Sequence, residues 1–412
     1  MHILVISQYF WPENFRINDL VSGLLDRGHS VTVLTGYPNY PAGKIFEEFK
    51  NNPAYFQKFG NANIVRVPMF PRGNGSLRLV LNYLSFALSA SFWGAWRLRK
   101  SSFDTIFVFE PSPITVGLPA ILIRYLKKAP VIFWVLDLWP ETLKAIGVVK
   151  SNTILNTIGK LVSLIYRHCD LILAQSKSFI PQIRQYCEPD QYVEYFPSWS
   201  DASFDLAKTV PAIEIPLADD CFSVLFAGNI GDAQDFPAIL EAIEHTRNEN
   251  IRWLIVGDGR IASWVANEIK HRGIANKVLM LGQYPVERMS SFFKHADALL
   301  VSLKNTEIFA MTIPGKLQSY LAAGIPILAM LNGEGAEIVK EGDAGLVCAA
   351  GDSKSLAKNV IELSRMSLEK RKLMGANGKI FYEGNFHREK LINRLENFLY
   401  KLLASHNQGN NQ

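Results

Sequence analysis

The residues best suited to chemistry sit at the ends of apolar runs. Ile313–Ile327 reads IPGKLQSYLAAGIPI, with Pro314 and Gly315 opening a helix that closes at Ala323-Gly324. Proline suits a helix's first turn, and the free N–H groups there attract anions. Lys316 stands in that turn, where a cation opposes the helix dipole. Its placement makes sense if the ammonium answers a diphosphate; the plain alternative is a solvated surface lysine. Upstream, Phe226–Gln234 runs a strand into a turn where Gly228, Asn229 and Gly231 bring backbone N–H groups towards an anion, although tight turns use glycine anyway. Gly257-Asp-Gly259-Arg260-Ile-Ala262 follows another apolar run and formally fits the dinucleotide fingerprint. The ribose-binding acid that should follow is missing from Leu279–Tyr284. That disfavours a nicotinamide cofactor but leaves a nucleotide beside the turn.

In the first half, Trp134–Glu141 (WVLDLWPE) puts Asp137 at the carboxyl end of a strand, the edge where α/β domains keep their cleft residues. Asp137 could serve as a general base or orient a sugar hydroxyl. Its alternative is a helix N-cap ahead of Pro140. The exit of the first run, Ser7–Arg16, offers Glu13, Asn14 and Arg16 to the same edge, with capping again the alternative for the acid. No D-x-D pair occurs, so no obvious carboxylate pair holds a metal–diphosphate. Helix starts and basic side chains offer a leaving diphosphate another form of stabilisation. The eight histidines do not cluster, and neither G-x-S-x-G nor a P-loop lysine is present.

These residues need a scaffold that gathers strand ends. Apolar runs at Ile3–Ile6, Val31–Thr35, Ile106–Phe109, Val131–Leu136 and Leu171–Ala174 alternate with helical patterns, such as Ile17, Leu20, Val21, Leu24 and Leu25 ahead of Gly28. Runs apolar throughout suit parallel strands buried on both faces, which predicts an α/β fold. Phe196–Asp220 breaks the rhythm with prolines and scattered acids. A second series follows at Ser223–Ala227, Trp253–Val256, Val278–Leu281, Leu299–Ser302, Ile325–Ala329 and Leu346–Val347. Two facing α/β domains with a cleft are expected: 1–197, a linker at 198–220, 221–384, and a closing segment 385–412 with a helix over Arg388–Ala404 and a frayed polar tail.

Leu79–Trp96 is the exception, eighteen residues without a formal charge, bracketed by Arg72 and Arg78 before and Arg97, Arg99 and Lys100 after. The length just reaches that of a membrane span. Its asparagine, tyrosine and serines, inside an α/β domain, favour a helix lying in the membrane interface, with a buried domain helix as the alternative. Composition is ordinary for 412 residues: 48% hydrophobic, 20% charged and a formal charge of +5. That charge suits a phosphorylated ligand or an anionic membrane surface, and no nucleic-acid partner is expected. Four dispersed cysteines read as reduced, without a zinc site. The opening run lacks the basic start and cleavage site of a signal peptide, so a cytoplasmic protein is expected.

In order and spacing, the glycine turn at 228–231, Gly257-Asp-Gly259 and Pro314-Gly-Lys316…Tyr320-Leu-Ala-Ala-Gly-Ile-Pro326 followed by Glu337 resemble the family 4 glycosyltransferases of the GT-B fold, over nearly the whole chain. Asp-Leu-Trp-Pro at 137–140 looks like bacterial surface-polysaccharide enzymes. Gln8–Arg16 is similar to O-antigen L-N-acetylfucosamine transferases of the WbuB type. The resemblance implies two Rossmann-like domains, with the C-terminal helix crossing back to the first. It implies transfer from a UDP-sugar, held mainly by the second domain, to a polyprenyl-diphosphate-linked sugar at the cytoplasmic face of the inner membrane. Retention of configuration and no metal are also implied, as is a nucleotide site that takes in Tyr284, Ser319 and Glu337. There are departures. The basic residues usual around the first glycine turn are Asn229 and Gln234, the second glutamate of E-x7-E is Ser319, and the histidine before the strand-end aspartate is Leu136. Lys316, Arg260 and Arg288 are left as candidates for the diphosphate. A sugar-nucleotide 2-epimerase of the same architecture is the main alternative, ahead of a non-catalytic sugar-nucleotide binder.

Overall fold

The computed structural model describes residues 1–73, 75–145, 147, 149–200, 215 and 221–409. The chain forms two compact units, Met1–Pro197 with Glu389–Gln412, and Ser198–Arg388. Most of the expected linker at 198–220 lies outside the described residues. Trp199, Ser200 and Ile215, which are described, are buried, and the Ser200 hydroxyl pairs with the Tyr382 hydroxyl at 2.9 Å.

The first unit has eight strands: β1 (His2–Ile6), β2 (Ser30–Gly36), β3 (Lys58–Phe59), β4 (Ala62–Val67), β5 (Thr105–Glu110), β6 (Val131–Val135), β7 (Leu171–Ala174) and β8 (Val193–Tyr195). Their order is β3-β4-β2-β1-β5-β6-β7-β8, parallel except for the antiparallel β3–β4 pair. Central strands are sealed on both faces; every residue of β5, β6 and β7 is buried. The apolar-run rule found these strands and missed β3, β4 and β8. β4 hides the charged Arg66 among its apolar residues, and that charge breaks the pattern. The Arg66 guanidinium donates to the carbonyls of Phe56 (3.1 Å), Gly36 (3.0 Å) and Trp11, so its burial is supported from three segments.

The second unit adds β9 (Phe222–Ala227), β10 (Ile251–Val256), β11 (Val278–Gly282), β12 (Ala298–Ser302), β13 (Ile327–Met330) and β14 (Gly345–Cys348). All are parallel, in the order β11-β10-β9-β12-β13-β14. The fifth of these starts two residues later than its apolar run. Pro326 has no N–H for the ladder, although its carbonyl accepts from Leu299 N at 2.9 Å.

The C-terminal helix Arg388–Gly409 buries Leu391, Ile392, Leu395, Phe398 and Leu399. It is tied to the first unit by Arg27, which meets Glu389 at 2.7 Å and Glu396 at 3.0 Å, and by His29, which meets Glu396 at 2.8 Å.

The segment read as a membrane-interface helix begins at Ser76 and runs to Ser89, continuing through a π-turn at Ala90–Gly94 and a last turn at Ala95–Arg97. Its inward face buries Tyr83, Phe86, Ala87 and Ala90, yet its outward face is apolar as well. Asn82 faces inward, wholly buried, accepting from Gln8 Nε2 at 2.7 Å and donating to the Phe70 carbonyl at 2.6 Å. Leucines and tryptophans face out: Leu77 is 72% exposed and Phe92 70%. Among the described residues no helix is long and apolar enough to cross a membrane.

Candidate functional site

In the second unit the strand order reverses between β9 and β12, and ligands of open α/β sheets bind beyond the carboxyl ends of strands at such a point. The chain leaves β9 at Gly228, with φ of +135°, and leaves β10 at Gly257, with φ of +140°. These two turns are stacked on each other. Gly228 N donates to the Val256 carbonyl and Ile230 N to that of Asp258, both at 2.9 Å. A Cβ on Gly257 would stand 1.9 Å from the Gly228 oxygen, and one on Gly259 2.3 Å from that of Ile230. The missing side chains at 257 and 259 therefore serve contact between the two turns. Gly231 is likewise crowded, by the Asn229 and Gln234 side chains.

Gly228 faces something else: its Cβ would lie 3.2 Å from Lys316 Nζ. Lys316 belongs to the first turn of the helix Gly315–Ala323, whose cap, Pro314, supplies no side-chain hydrogen bond. One turn on, the Tyr320 hydroxyl accepts from Ala227 N at 3.0 Å and sits 3.2 Å from the Ala227 carbonyl, pinning the helix start against the end of β9. The ammonium is withdrawn from solvent with no hydrogen-bond partner and lies 3.7 Å from the centroid of the Phe226 ring. Burial pushes its pKa down to about 7. A buried donor group without an acceptor is uncommon.

The other donor-side candidates have different surroundings. Arg260 is exposed and paired with Asp232. The Arg288 guanidinium lies 5.7 Å from the Tyr284 ring, on the segment after the edge strand β11. Ser319 is buried on its helix, and exposed Glu337 pairs with Lys340 at 2.9 Å. Phe226 and Tyr320, which place the lysine, were not among the sequence candidates.

In the first unit Asp137 follows β6. Its carboxylate accepts from the Thr142 hydroxyl at 2.5 Å and from Trp139 Nε1 at 3.2 Å, and the Ser112 hydroxyl also bonds it. Thr142 belongs to the helix Glu141–Ala145, so the carboxylate is held against the start of that helix, and the Leu138 backbone N–H favours its charged form. Burial raises it above the usual aspartate range despite these donors. Tyr83, from the helix Ser76–Ser89, bonds Ser112 and packs its ring 6.1 Å from that of Trp139.

Glu13 is turned inward. One oxygen accepts from Asn39 N and Tyr40 N, both at 2.7 Å, and the other from Phe10 N at 3.3 Å. It is 2% exposed and clasps the exits of β1 and β2 together, so the expected cleft-facing acid is occupied by backbone donors. Asn14 is exposed, and Arg16 opens the helix Arg16–Asp26. Glu13→Ala is expected to lower stability by about 2–4 kcal/mol in urea unfolding, because it strands the N–H groups of Asn39, Tyr40 and Phe10. A loss within about 0.5 kcal/mol would show that the loops hold without the clasp. Burial also pushes Glu13 up to about 7. The unfolded chain then ionises first, so this residue's contribution falls as pH rises from the ordinary glutamate range to about 7.

Two α/β units on largely parallel sheets, with the strand order reversing beside the first strand of the second unit, are the architecture of the GT-B fold. Residues 14–199 match the glycosyl transferase 4-like domain and residues 214–381 the glycosyl transferases group 1, so the chain is a glycosyltransferase built from these two domains. It is 25% identical over 343 residues to WcaI of Escherichia coli K12, named for glycosyl transfer in colanic acid biosynthesis, covering 79% of this chain and 82% of that one. Among solved structures it shares its fold with HepE of Anabaena in complex with UDP and glucose, at a TM-score of 0.66 and 14% identity over 97% of this chain and 99% of that one. WaaG, a glycosyltransferase involved in lipopolysaccharide biosynthesis, is similar at a TM-score of 0.67 and 13% identity over 97% and 99%.

Proposed function

We propose that this glycosyltransferase moves a sugar from a UDP-linked donor to a polyprenyl-diphosphate-linked sugar in surface-polysaccharide assembly, at the cytoplasmic face of the membrane. The observation that carries the reading is the sealed, partnerless Lys316 ammonium at a helix start beside the Gly228 turn. It suits the diphosphate of a departing UDP, whose charge grows as the sugar–oxygen bond breaks. Asp137 takes the proton of the acceptor hydroxyl as the new bond forms. WcaI and WaaG, named for polysaccharide and lipopolysaccharide synthesis, and HepE, crystallised with UDP, support this assignment. Transfer without a metal and with retention of configuration, and L-N-acetylfucosamine as the sugar, belong to the same proposal. The test is a panel of UDP-sugars against membrane lipid extracts, with mass analysis of the product. Epimerised UDP-sugar formed without any acceptor would replace this reading with the epimerase.

The acceptor's lipid accounts for the apolar outer face of this helix. Leu77, Leu88, Phe92 and Trp93 face out, and the helix Gly117–Lys127 adds Leu122, Tyr125 and Leu126. Lys127 Nζ reaches the Arg99 carbonyl at 3.0 Å, so the two helices share a basic end that includes Lys100 and Lys128. Such a face fits an anionic bilayer, where each surface lysine or arginine contributes about 1 kcal/mol. Replacing Phe92 and Trp93 by serine is expected to weaken binding to phosphatidylglycerol vesicles by at least about 10-fold, on the scale of buried apolar area. Unchanged co-sedimentation would remove the face from membrane contact.

A further inference from the structure

We propose that Glu110 is a second carboxyl of the Asp137 cluster, held as the neutral acid so that Asp137 is the carboxyl left to ionise there. The inference rests on Asp137 as the acceptor-side base. Glu110 ends β5 and is wholly buried. Its strand neighbour is Val135, two residues before Asp137, and the Leu136 N–H bonds the Glu110 backbone carbonyl at 3.0 Å. From Glu110 the chain turns through Ser112, whose φ of +126° is one that L-residues rarely adopt, and the Ser112 hydroxyl reaches Asp137. The exits of β5 and β6 thus hold one carboxyl each, joined through a strained serine.

The surroundings separate the two acids. Asp137 has hydroxyl and indole donors. Neither side-chain oxygen of Glu110 has a hydrogen bond of good geometry, although the N–H groups of Leu136 and Asp137 lie close enough to favour its charged form. The ionisable groups acting on it are Asp137 from the β6 exit, Tyr83 from the helix Ser76–Ser89 and Tyr166 from the helix Asn152–Arg167, and none is a cation. A carboxylate sealed from water without a cation is strongly disfavoured, whereas its acid form is tolerated. Burial, and then the charge on Asp137, drive Glu110 far above the usual range. Carboxyls whose environments push them apart take different roles, and here Asp137 is left as the one able to accept a proton.

The test is infrared spectroscopy of the full chain carrying 13C-labelled glutamate, paired with Glu110→Gln. At about pH 9, above the value of about 7 to which burial pushes Glu13, the labelled protein is expected to show the carbonyl band of a protonated carboxylic acid, and the glutamine variant to lack it. The sign for stability follows: a carboxyl raised on folding makes the wild type lose stability as pH climbs above the ordinary glutamate range. Glu110→Gln should therefore gain on the wild type with pH, with a gap at about pH 8 that closes near pH 4. In transfer assays the acid limb of the pH profile should stay in place in the variant, since one neutral group replaces another. An absent acid band in the wild type, or a limb that moves in the variant, would overturn the proposal. If Asp137→Asn leaves transfer intact while the acid band persists, the Asp137 assignment has failed and the protonation of Glu110 has not.

Discussion

Lys316→Met should weaken UDP binding by about 100-fold and at the same time raise the melting temperature of the ligand-free protein. Both follow from one geometry. The ammonium is buried, has no acceptor, and has only the face of Phe226 beside it. An uncompensated cation in that position works against folding, and a methionine of similar length fills the space without charge. Burial pushes Lys316 down to about 7 from an ordinary 10.5. Across that window the unfolded chain binds a proton that the folded chain has released, so wild-type stability rises with pH there. At and below about pH 7 the charged lysine exerts its full destabilising effect, so the gain in the methionine variant is largest there and fades towards pH 10.

Binding reverses the balance. A diphosphate beside Nζ restores the charged form, so UDP binding above about pH 7 takes up a proton and weakens as pH rises. Loss of a hydrogen bond between charged partners is worth about 3 kcal/mol, or roughly 100-fold in UDP affinity. Calorimetric titration with UDP at two pH values, with melting curves of both proteins, reads every part of this. UDP affinity equal in the two proteins would exclude Lys316 from the diphosphate site.

The second large effect is expected at Asp137. Asp137→Asn should lower transfer by about 100- to 10,000-fold, the range for losing a general base, while UDP affinity stays the same. Asparagine can still accept from the Thr142 hydroxyl, but it turns an N–H group towards one of the donors that the carboxylate satisfies, so the loop is perturbed locally. Because burial raises Asp137, the acid limb of the wild-type profile should lie above the ordinary aspartate range, with activity appearing as the carboxyl ionises. Near-normal turnover in Asp137→Asn would make this carboxylate a structural tie of its loop.

Much of the scaffold could be read in advance. β7 coincides with its apolar run at Leu171–Ala174, and the helix ahead of Gly28 ends where that glycine takes a φ of +77°. Buried parallel strands are apolar on both faces, so local composition reveals them. The strand-end rule located Asp137 but passed over Glu110, which is the last residue of β5 and one position beyond the run read as that strand. A glutamate closing an apolar run looks like an exit into solvent, and its burial depends on neighbours from other elements.

The glycine turns show the same limit. Their spacing marks a nucleotide fingerprint, yet Gly257 and Gly259 are crowded by the Gly228 and Ile230 carbonyls, a contact that exists only once β9 and β10 are paired. Glu13 is a further case. A carboxylate in a loop can cap, catalyse or clasp, and the backbone donors of Asn39 and Tyr40, some 26 residues along, decided for the clasp.

By itself the sequence determined the two α/β units, most of their strands and a lysine at a helix start, because these depend on periodicity and on residues close along the chain. Only the tertiary structure decided which charges are sealed. Lys316 lost its water to Phe226 and the Gly228 turn, and Glu110 lost its water to the helices around β5. Asn82 turned inward to meet Gln8 and Phe70, which left leucines and tryptophans facing out. Burial is a property of neighbours distant in sequence, and the free energy of a charge depends on those neighbours more than on its place in the chain.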